Sequence, residues 1–222
     1  MTSLNEDAVH WSLSLLSVYE QMAELKTNAV LQVLDDVKYV ESERRYPLEG
    51  LLFANDKWRV FYHCHKDNLI HPDEHGHFHF FVRVDADKWS HFTGMSIDSQ
   101  GQPLQWFMVN RWVTDGLWLE RDFFAKAFES FLECFNNESL LSKWLMCLLQ
   151  LYRNDLLSLL DQRNTTLVSR KNNHTKALED RDIYTLATLK IQLQQSLENN
   201  LLNNTTVIPE CDTNENATHQ GA

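Results

Sequence analysis

The chain has 222 residues, of which 43% are hydrophobic and 23% are charged, and this composition is ordinary for a globular protein. A chain of this length suits one domain and buries about 70% of the surface that its unfolded form exposes, so it does not need disulfide bonds. The formal net charge is −11. Because an acidic chain repels phosphates unless its basic residues gather in one patch, and we find no such patch, nucleic acid is not an expected partner.

The cysteines and the N-terminal segment indicate the compartment. Four cysteines are present, and none belongs to a C-x-x-C pair. The apolar residues near the N-terminus are interrupted by polar and charged ones, which does not fit a secretion signal. No stretch approaches the roughly 18 uninterrupted apolar residues of a membrane span. We therefore expect reduced thiols, a cytoplasmic location and no membrane partner.

The first predicted element is a long helix over residues 4–38. Its apolar residues follow one another at spacings of three and four, which places them on one stripe. These residues are Leu4, Ala8, Trp11, Leu15, Val18, Met22, Leu25 and Ala29. Ser3 and Glu6 have the spacing of a capping box. We expect the stripe to pack on the body of the domain, and a homodimer formed through the long helices is the alternative.

After Gly50 the hydrophobic period changes from helical to alternating. Residues 98–103 contain a glycine and a proline in positions that suit a turn. Short connections between strands favour an antiparallel meander. The pattern predicts four strands, at about 57–65, 75–84, 91–98 and 103–110.

From residue 120 the chain is predicted to be helical again. Residues 139–162 are apolar on nearly every side, which is typical of a buried helix. The fold class is therefore α+β: a four-stranded antiparallel meander sheet flanked by a long N-terminal helix and C-terminal helices. We expect a single α+β domain over 1–163, a C-terminal helix over 174–202, and a disordered polar tail over 203–222.

Histidines are concentrated in one part of the predicted sheet. Ten are present, and six of them fall in a short stretch: His63, His65, His71, His75, His77 and His79. Side chains alternate along a strand, so His63 shares a face with His65, and His77 shares one with His79. Opposite residues of an antiparallel hairpin have Cβ atoms roughly 4.5–5.5 Å apart. The two H-x-H pairs are therefore predicted to converge.

Converging imidazoles point to a metal site. Neutral imidazole binds Zn, Fe, Cu and Ni, and three nitrogens around one ion leave an open position of the catalytic type. We predict a divalent transition metal bound by His63, His65, His77 and His79, without a preference among these four metals. His75 is a less secure candidate ligand because Gly76 is compatible with a bulge. A His-rich surface tract without metal is the alternative.

Three further residues are candidates for catalysis. Glu74 or His75 would serve as a general base, and Glu74 also as a ligand or outer partner. Arg111 would bind a carboxylate or phosphate of an unidentified small molecule. An ion pair between Arg111 and a carboxylate such as Glu74 is an equally good interpretation.

Residues 75–81, HGHFHFF, resemble the histidine-triad motif. In that superfamily the middle histidine attacks a nucleotide phosphate, so the resemblance implies His77 as the nucleophile of a nucleotide hydrolase. Gly76 departs from the hydrophobic position of the motif, and the acidic residues Asp73 and Glu74 are unfavourable beside a phosphate.

A broader resemblance covers about residues 45–120. Its segments are YHCH at 62–65, EHGHFH at 74–79 and NRWVT at 110–114. They are similar to an uncharacterised bacterial domain family of unknown function. The resemblance implies a bacterial source and the same histidine hairpin, and it carries no activity.

Two functional hypotheses follow from the sequence. The first is a metal-dependent enzyme with an all-histidine set of ligands. The second is a non-catalytic metal-binding protein whose C-terminal helix docks a partner. A histidine-triad hydrolase is the weaker third.

Overall fold

The computed structural model describes residues 4–66, 70–134, 139–170 and 174–202, so the predicted tail over 203–222 lies outside the described residues. In this part of the chain six strands form one antiparallel sheet, whose spatial order follows the sequence. The strands are β1 Tyr46–Phe53, β2 Trp58–His63, β3 Gly76–Asp85, β4 Lys88–Ile97, β5 Pro103–Val109 and β6 Thr185–Lys190. The class and the antiparallel sheet are as predicted, but the sheet has six strands rather than four.

The first additional strand, β1, was not predicted because it contains Pro47 and Gly50, and proline and glycine are typical of turns. A proline lacks the amide hydrogen that a central strand needs, but it is tolerated on an edge strand. β1 is an edge strand of the sheet, and its pairing with β2 shifts register between Tyr46 and Leu51. The irregular pairing accommodates both residues.

The second additional strand, β6, lies inside the predicted helix 174–202. That segment instead contains α7 His174–Leu178, then β6, then α8 Leu193–Leu202. Its leucines have helical spacing, but a turn in which the Ile183 amide donates to the Asp180 carbonyl separates α7 from β6. β6 pairs with β5 and buries Leu186 and Ala187. Tertiary pairing therefore overrides the local pattern.

The predicted helix over 4–38 is two helices, α1 Leu4–Glu24 and α2 Ala29–Leu34. The break follows from Lys26, whose φ is 53°, and from Asn28, whose side chain accepts a hydrogen bond from the Leu31 amide and caps α2. The middle of the predicted stripe is buried against the core, as expected: Leu15, Val18 and Met22.

The remaining helices are α3 Arg111–Thr114, α4 Arg121–Glu133, α5 Leu140–Leu151 and α6 Arg153–Arg170. None of the helices in the described ranges is long and apolar enough to cross a membrane. The buried helix predicted over 139–162 is divided at Tyr152 into α5 and the first part of α6, and α5 is buried almost all round. α1, α2, α4, α5 and α6 share one hydrophobic core with the sheet, and this core includes Tyr62, Phe78, Phe80, Trp106 and Trp144.

The NRWVT segment at the end of β5 holds the chain that leads into β6. The buried Asn110 side chain accepts from the Arg111 amide and donates to the Ala177 carbonyl, both at 2.8 Å. The Asn110 amide donates to the Tyr184 carbonyl at 2.9 Å. Two of these hydrogen bonds, to Ala177 and Tyr184, thus fix both ends of the 177–184 segment to the sheet.

Two neighbours of Asn110 bind the same segment. The Arg111 guanidinium pairs with Glu179, and the Trp112 indole donates to the Ile183 carbonyl at 2.9 Å. Arg111 therefore has a structural partner, which is Glu179 rather than Glu74.

Replacing Asn110 with alanine should lower the free energy of unfolding by about 1–3 kcal/mol, since it leaves the buried Ala177 carbonyl without its donor. Urea denaturation measures this loss. Asn154→Ala, at an exposed position, is the matched control and should change stability by no more than about 0.5 kcal/mol. Equal effects of the two substitutions would contradict the role given to Asn110.

Candidate metal centre

The face of the sheet opposite the helical core carries the histidines. In the pairing of β2 with β3, His63 lies opposite His77, and His79 lies opposite Phe61. Alternation places the core residues Tyr62 and Phe78 on the other face. His65 follows the end of β2, and its ring also joins the cluster. The hairpin thus separates an aromatic core from a group of imidazoles.

The ring nitrogens of this group lie close together. The Nε2 atom of His63 is 2.6 Å from Nε2 of His77 and 3.0 Å from Nε2 of His79. His63, His65 and His77 each place one ring nitrogen within 4.8 Å of the others. Nitrogens bound tetrahedrally to one zinc ion lie about 3.3 Å apart. The ring nitrogens of His63, His65 and His77 are therefore close enough together for one ion to contact all three.

In His65, His77 and His79, the second ring nitrogen, Nδ1, contacts a side chain outside the group. Nδ1 of His77 is 2.6 Å from Oε1 of Glu74, and Nδ1 of His65 contacts Oε1 of Glu43. An ionised carboxylate only accepts hydrogen bonds, so when Glu74 and Glu43 are ionised, Nδ1 carries the proton and Nε2 keeps its lone pair. Metal-binding histidines in proteins have this same outer hydrogen bond.

His79 has its outer contact with another histidine. Its Nδ1 atom is 2.7 Å from Nε2 of His91, on β4. The facing of His91, which the sequence leaves undetermined, is thus toward the cluster. His91 supports a ring of the cluster from the outside.

One of the ring nitrogens that face the centre of the cluster has no hydrogen-bond partner. Nε2 of His65 is buried, and among the described residues it has no hydrogen-bond partner. If Nε2 of His77 keeps its lone pair, the hydrogen bond between the two Nε2 atoms has His63 as its donor. Nε2 of His65 still lacks a partner, and a buried polar atom without a partner is costly. A cation bound by the inner nitrogens would remove this penalty.

Burial keeps these rings neutral. Burial, followed by the neighbouring histidines, lowers the pKa of His63 to about 2 and holds the pKa of His79 well below its usual range. The same causes lower the pKa of His77 and of His91 to about 3. The neutral imidazole is the form that binds a metal, so the rings need no deprotonation at neutral pH.

His75 does not join the cluster. Its Nδ1 atom lies 2.5 Å from the Tyr62 hydroxyl, and its ring stacks on the Tyr62 ring, which faces the core. Gly76 makes this arrangement possible, because a Cβ atom there would lie 2.2 Å from the Tyr62 hydroxyl oxygen. Gly76 pairs regularly with Ile97, so it introduces no bulge at this position.

The cluster opens on a cleft of about 220 Å³. His63, His65 and His79 lie on its histidine side, and Glu43 lies beside them. The remaining walls combine apolar and polar side chains: Phe61, Phe81, Val113, Arg45, Thr114 and Tyr184. The cleft gives a small molecule a route to the imidazoles.

Sequence reasoning missed three of these residues. Glu43 and Arg45 precede β1, and Tyr184 precedes β6, so the two unpredicted strands bring all three to the cleft. The acidic and basic run at 43–45 was the available signal. Arg111 does not line this cleft, and Glu74 lies behind His77 rather than in the cleft wall.

One known family matches most of the chain. A family model described as a domain of unknown function, DUF6969, matches residues 11–191. The chain therefore belongs to this family, which confirms the predicted uncharacterised family and extends it well beyond residues 45–120. No curated protein and no solved structure matches the chain.

The metal-free protein should lose stability as the pH falls below about 6.5. The unfolded chain protonates its histidines near pH 6.5, whereas in the folded protein the pKa values of His63, His77 and His91 are about 2 to 3. Each such histidine contributes stability above pH 6.5 and loses about 1.4 kcal/mol per pH unit below it.

Glu74 opposes this trend, since burial raises its pKa to about 7 and the folded protein then binds the extra proton. The net effect still has the sign of the histidines, which outnumber it. Urea denaturation between pH 7.5 and 5 measures the slope. His10→Gln, at an exposed histidine, should leave the slope unchanged. A flat profile for the metal-free protein would contradict the burial of neutral rings.

Proposed function

We propose that the chain binds one divalent transition-metal ion through the Nε2 atoms of His63, His65, His77 and His79, and that the ion keeps a further coordination position open toward the cleft, as in catalytic sites. The observation that carries the proposal is that one nitrogen of a ring faces the other imidazoles while the second nitrogen contacts an orienting side chain. Nε2 of His63 lies within 3.0 Å of Nε2 of His77 and of His79, while the Nδ1 atoms of the other three rings contact Glu74, Glu43 and His91.

The cleft supports a catalytic role over a structural one. Structural zinc sites are closed and are usually rich in cysteine, whereas catalytic sites keep a position open for water or substrate. Here the cysteine nearest in sequence, Cys64, follows the end of β2, and the group of possible ligands among the described residues contains no cysteine. The ligands border a cleft on one side. A divalent ion in such a site supplies Lewis acidity toward a water or substrate oxygen.

The two carboxylates beside the rings have different roles in this proposal. Glu74 is 7% exposed and holds Nδ1 of His77, so it positions a ligand and is shielded from the cleft. Glu43 lines the cleft, and its side chain is 67% exposed. Glu43 is therefore better placed than Glu74 to accept a proton from a bound molecule.

The other two hypotheses have less support. As a histidine-triad nucleophile, His77 would have to reach a phosphate, but it is 1% exposed and enclosed by other imidazoles. A partner-docking C-terminal helix would need the continuous helix over 174–202, which β6 interrupts.

Protein purified without a histidine tag should contain about one equivalent of metal, and the double variant His77→Gln, His79→Gln should contain almost none, because two ligands are lost. Elemental analysis by mass spectrometry measures the content. The matched control is His10→Ala combined with His71→Ala, which changes two histidines outside the cluster and should retain the metal.

Circular dichroism of the double variant separates lost ligands from lost folding. A folded double variant that keeps a full equivalent of metal would contradict the proposal. So would a wild-type protein that takes up no Zn²⁺, Fe²⁺, Cu²⁺ or Ni²⁺ after reconstitution.

The open position has its own test. Co²⁺-substituted protein should show visible absorption bands that shift when azide is added, since a small anion can reach the ion from the cleft. A spectrum that does not respond to azide would indicate a closed coordination shell and a structural or storage role. Co²⁺ protein carrying Phe61→Trp, which fills the cleft, should respond more weakly than wild type.

A further inference from the structure

The histidine face of the sheet also carries three arginines stacked on aromatic rings, which we call the arginine ladder: Arg45, Arg59 and Arg83. The Arg45 guanidinium lies 4.7 Å from the centre of the Phe61 ring. Arg59 and Arg83 lie 4.3 Å and 4.8 Å from the Trp89 ring. Strand register creates this arrangement, since Arg83 lies opposite Trp89 across β3 and β4.

The ladder is continuous with the histidine cleft. Phe61 stacks on Phe81 with ring centres 5.3 Å apart, and Arg59 lies 5.8 Å from the Phe81 ring. Phe61 is also 5.5 Å from the His79 ring. Arg45, Phe61 and Phe81 line the cleft itself. A molecule in the cleft is therefore within reach of Arg45, and Arg59 lies next to Phe81 at the wall of the cleft, with Arg83 further along on the other side of Trp89.

Within the described ranges, none of the three arginines takes part in an ion pair, although the charge of Glu49 favours the protonated form of Arg59. This is unexpected in a chain with a net charge of −11. Four other arginines are paired with carboxylates: Arg44, Arg111, Arg121 and Arg153.

The ladder also has unused hydrogen-bond donors. The Nε atoms of Arg59 and Arg83 are buried and have no partner among the described residues. Burial, and then the charges of Arg45 and Arg83, lowers the pKa of Arg59, which is the expected result of crowding like charges. A buried donor without an acceptor and a repelling neighbour both cost stability. An anion would relieve both costs.

We propose that the arginine ladder binds the carboxylate or phosphate group of a small molecule whose other end reaches the histidine cleft. The planar guanidinium forms paired hydrogen bonds with either group, and the aromatic rings beneath hold it in place. Placing the reactive end at the ion rests on the proposed metal site, whereas anion binding by the ladder does not.

The dimensions favour a small molecule over a nucleic acid strand. Binding a strand requires many phosphates to be neutralised, and the ladder has three cations in a chain with a net charge of −11. The cleft volume of about 220 Å³ suits a metabolite-sized group.

The test uses the full-length chain labelled with ¹⁵N, freed of metal by chelation, and titrated separately with inorganic phosphate and with succinate. The arginine Nε–H resonances are followed by NMR. We expect saturable shifts of Arg59 and Arg83 with at least one anion, and the stronger of the two identifies the group. Arg59→Gln and Arg45→Gln should each weaken binding by about tenfold or more, the loss of a charge-assisted hydrogen bond.

Arg111→Gln, at an arginine already paired with Glu179, is the matched control and should bind the anion as wild type does. Arg45→Gln keeps the test valid if Arg59→Gln fails to fold, since Arg45 is exposed. Absence of saturable shifts with both anions would overturn the proposal. So would tighter, salt-sensitive binding of single-stranded DNA, or anion binding that appears only after metal is added, which would place the anion on the ion. If the variant His77→Gln, His79→Gln loses the metal but still binds the anion, anion binding by the ladder does not depend on the metal site, and the proposal for the ladder is supported.

Discussion

The register between β2 and β3 is the constraint on which the rest of the structure depends. His63 lies opposite His77, and because side chains alternate, every second residue of both strands faces the aromatic core. A slip of one residue would bury imidazoles among helices and expose Tyr62 and Phe78. Core burial therefore fixes the register, and the register brings the histidines together.

Burial then determines the protonation state of the imidazoles in the cluster. In water an imidazole is protonated near pH 6.5, but burial removes the hydration that the charged form needs. Burial therefore keeps the rings of His63, His77 and His79 neutral. When ionised, Glu74 and Glu43 orient the rings of His77 and His65 by accepting their Nδ1 protons, and the Nε2 atoms of these two rings then keep their lone pairs. The three positive groups of the arginine ladder lie on the same sheet face and form no ion pair within the described residues. We propose that a metal ion completes the histidine cluster and that an anion completes the ladder.

Much of the hairpin could be predicted from the sequence. Strands β2 to β5 agree closely with the alternating segments, because one face of each is buried and alternation records that burial. Strand β1 carries Pro47 and Gly50, and β6 has leucines at helical spacing, so the local pattern predicted no strand over β1 and a helix in place of β6. Their strand pairing is a tertiary property.

The missed site residues depend on those same strands. Glu43 is 22 residues from its partner His65, and Tyr184 reaches the cleft only through the turn before β6. Arg45, Arg59 and Arg83 are too far apart in sequence to form a basic run. In the NRWVT segment, only Arg111 was predicted to have a function, but Asn110 and Trp112 also hold the 177–184 segment in place.

The most direct test of the account is X-ray absorption spectroscopy at the edge of the bound metal. The cluster predicts three or four nitrogen neighbours at about 2.0–2.1 Å, with the outer scattering pattern of imidazole rings and no sulfur. A first shell dominated by sulfur, or by oxygen without imidazole scattering, would place the metal elsewhere and contradict the assignment of His63, His65, His77 and His79 as its ligands.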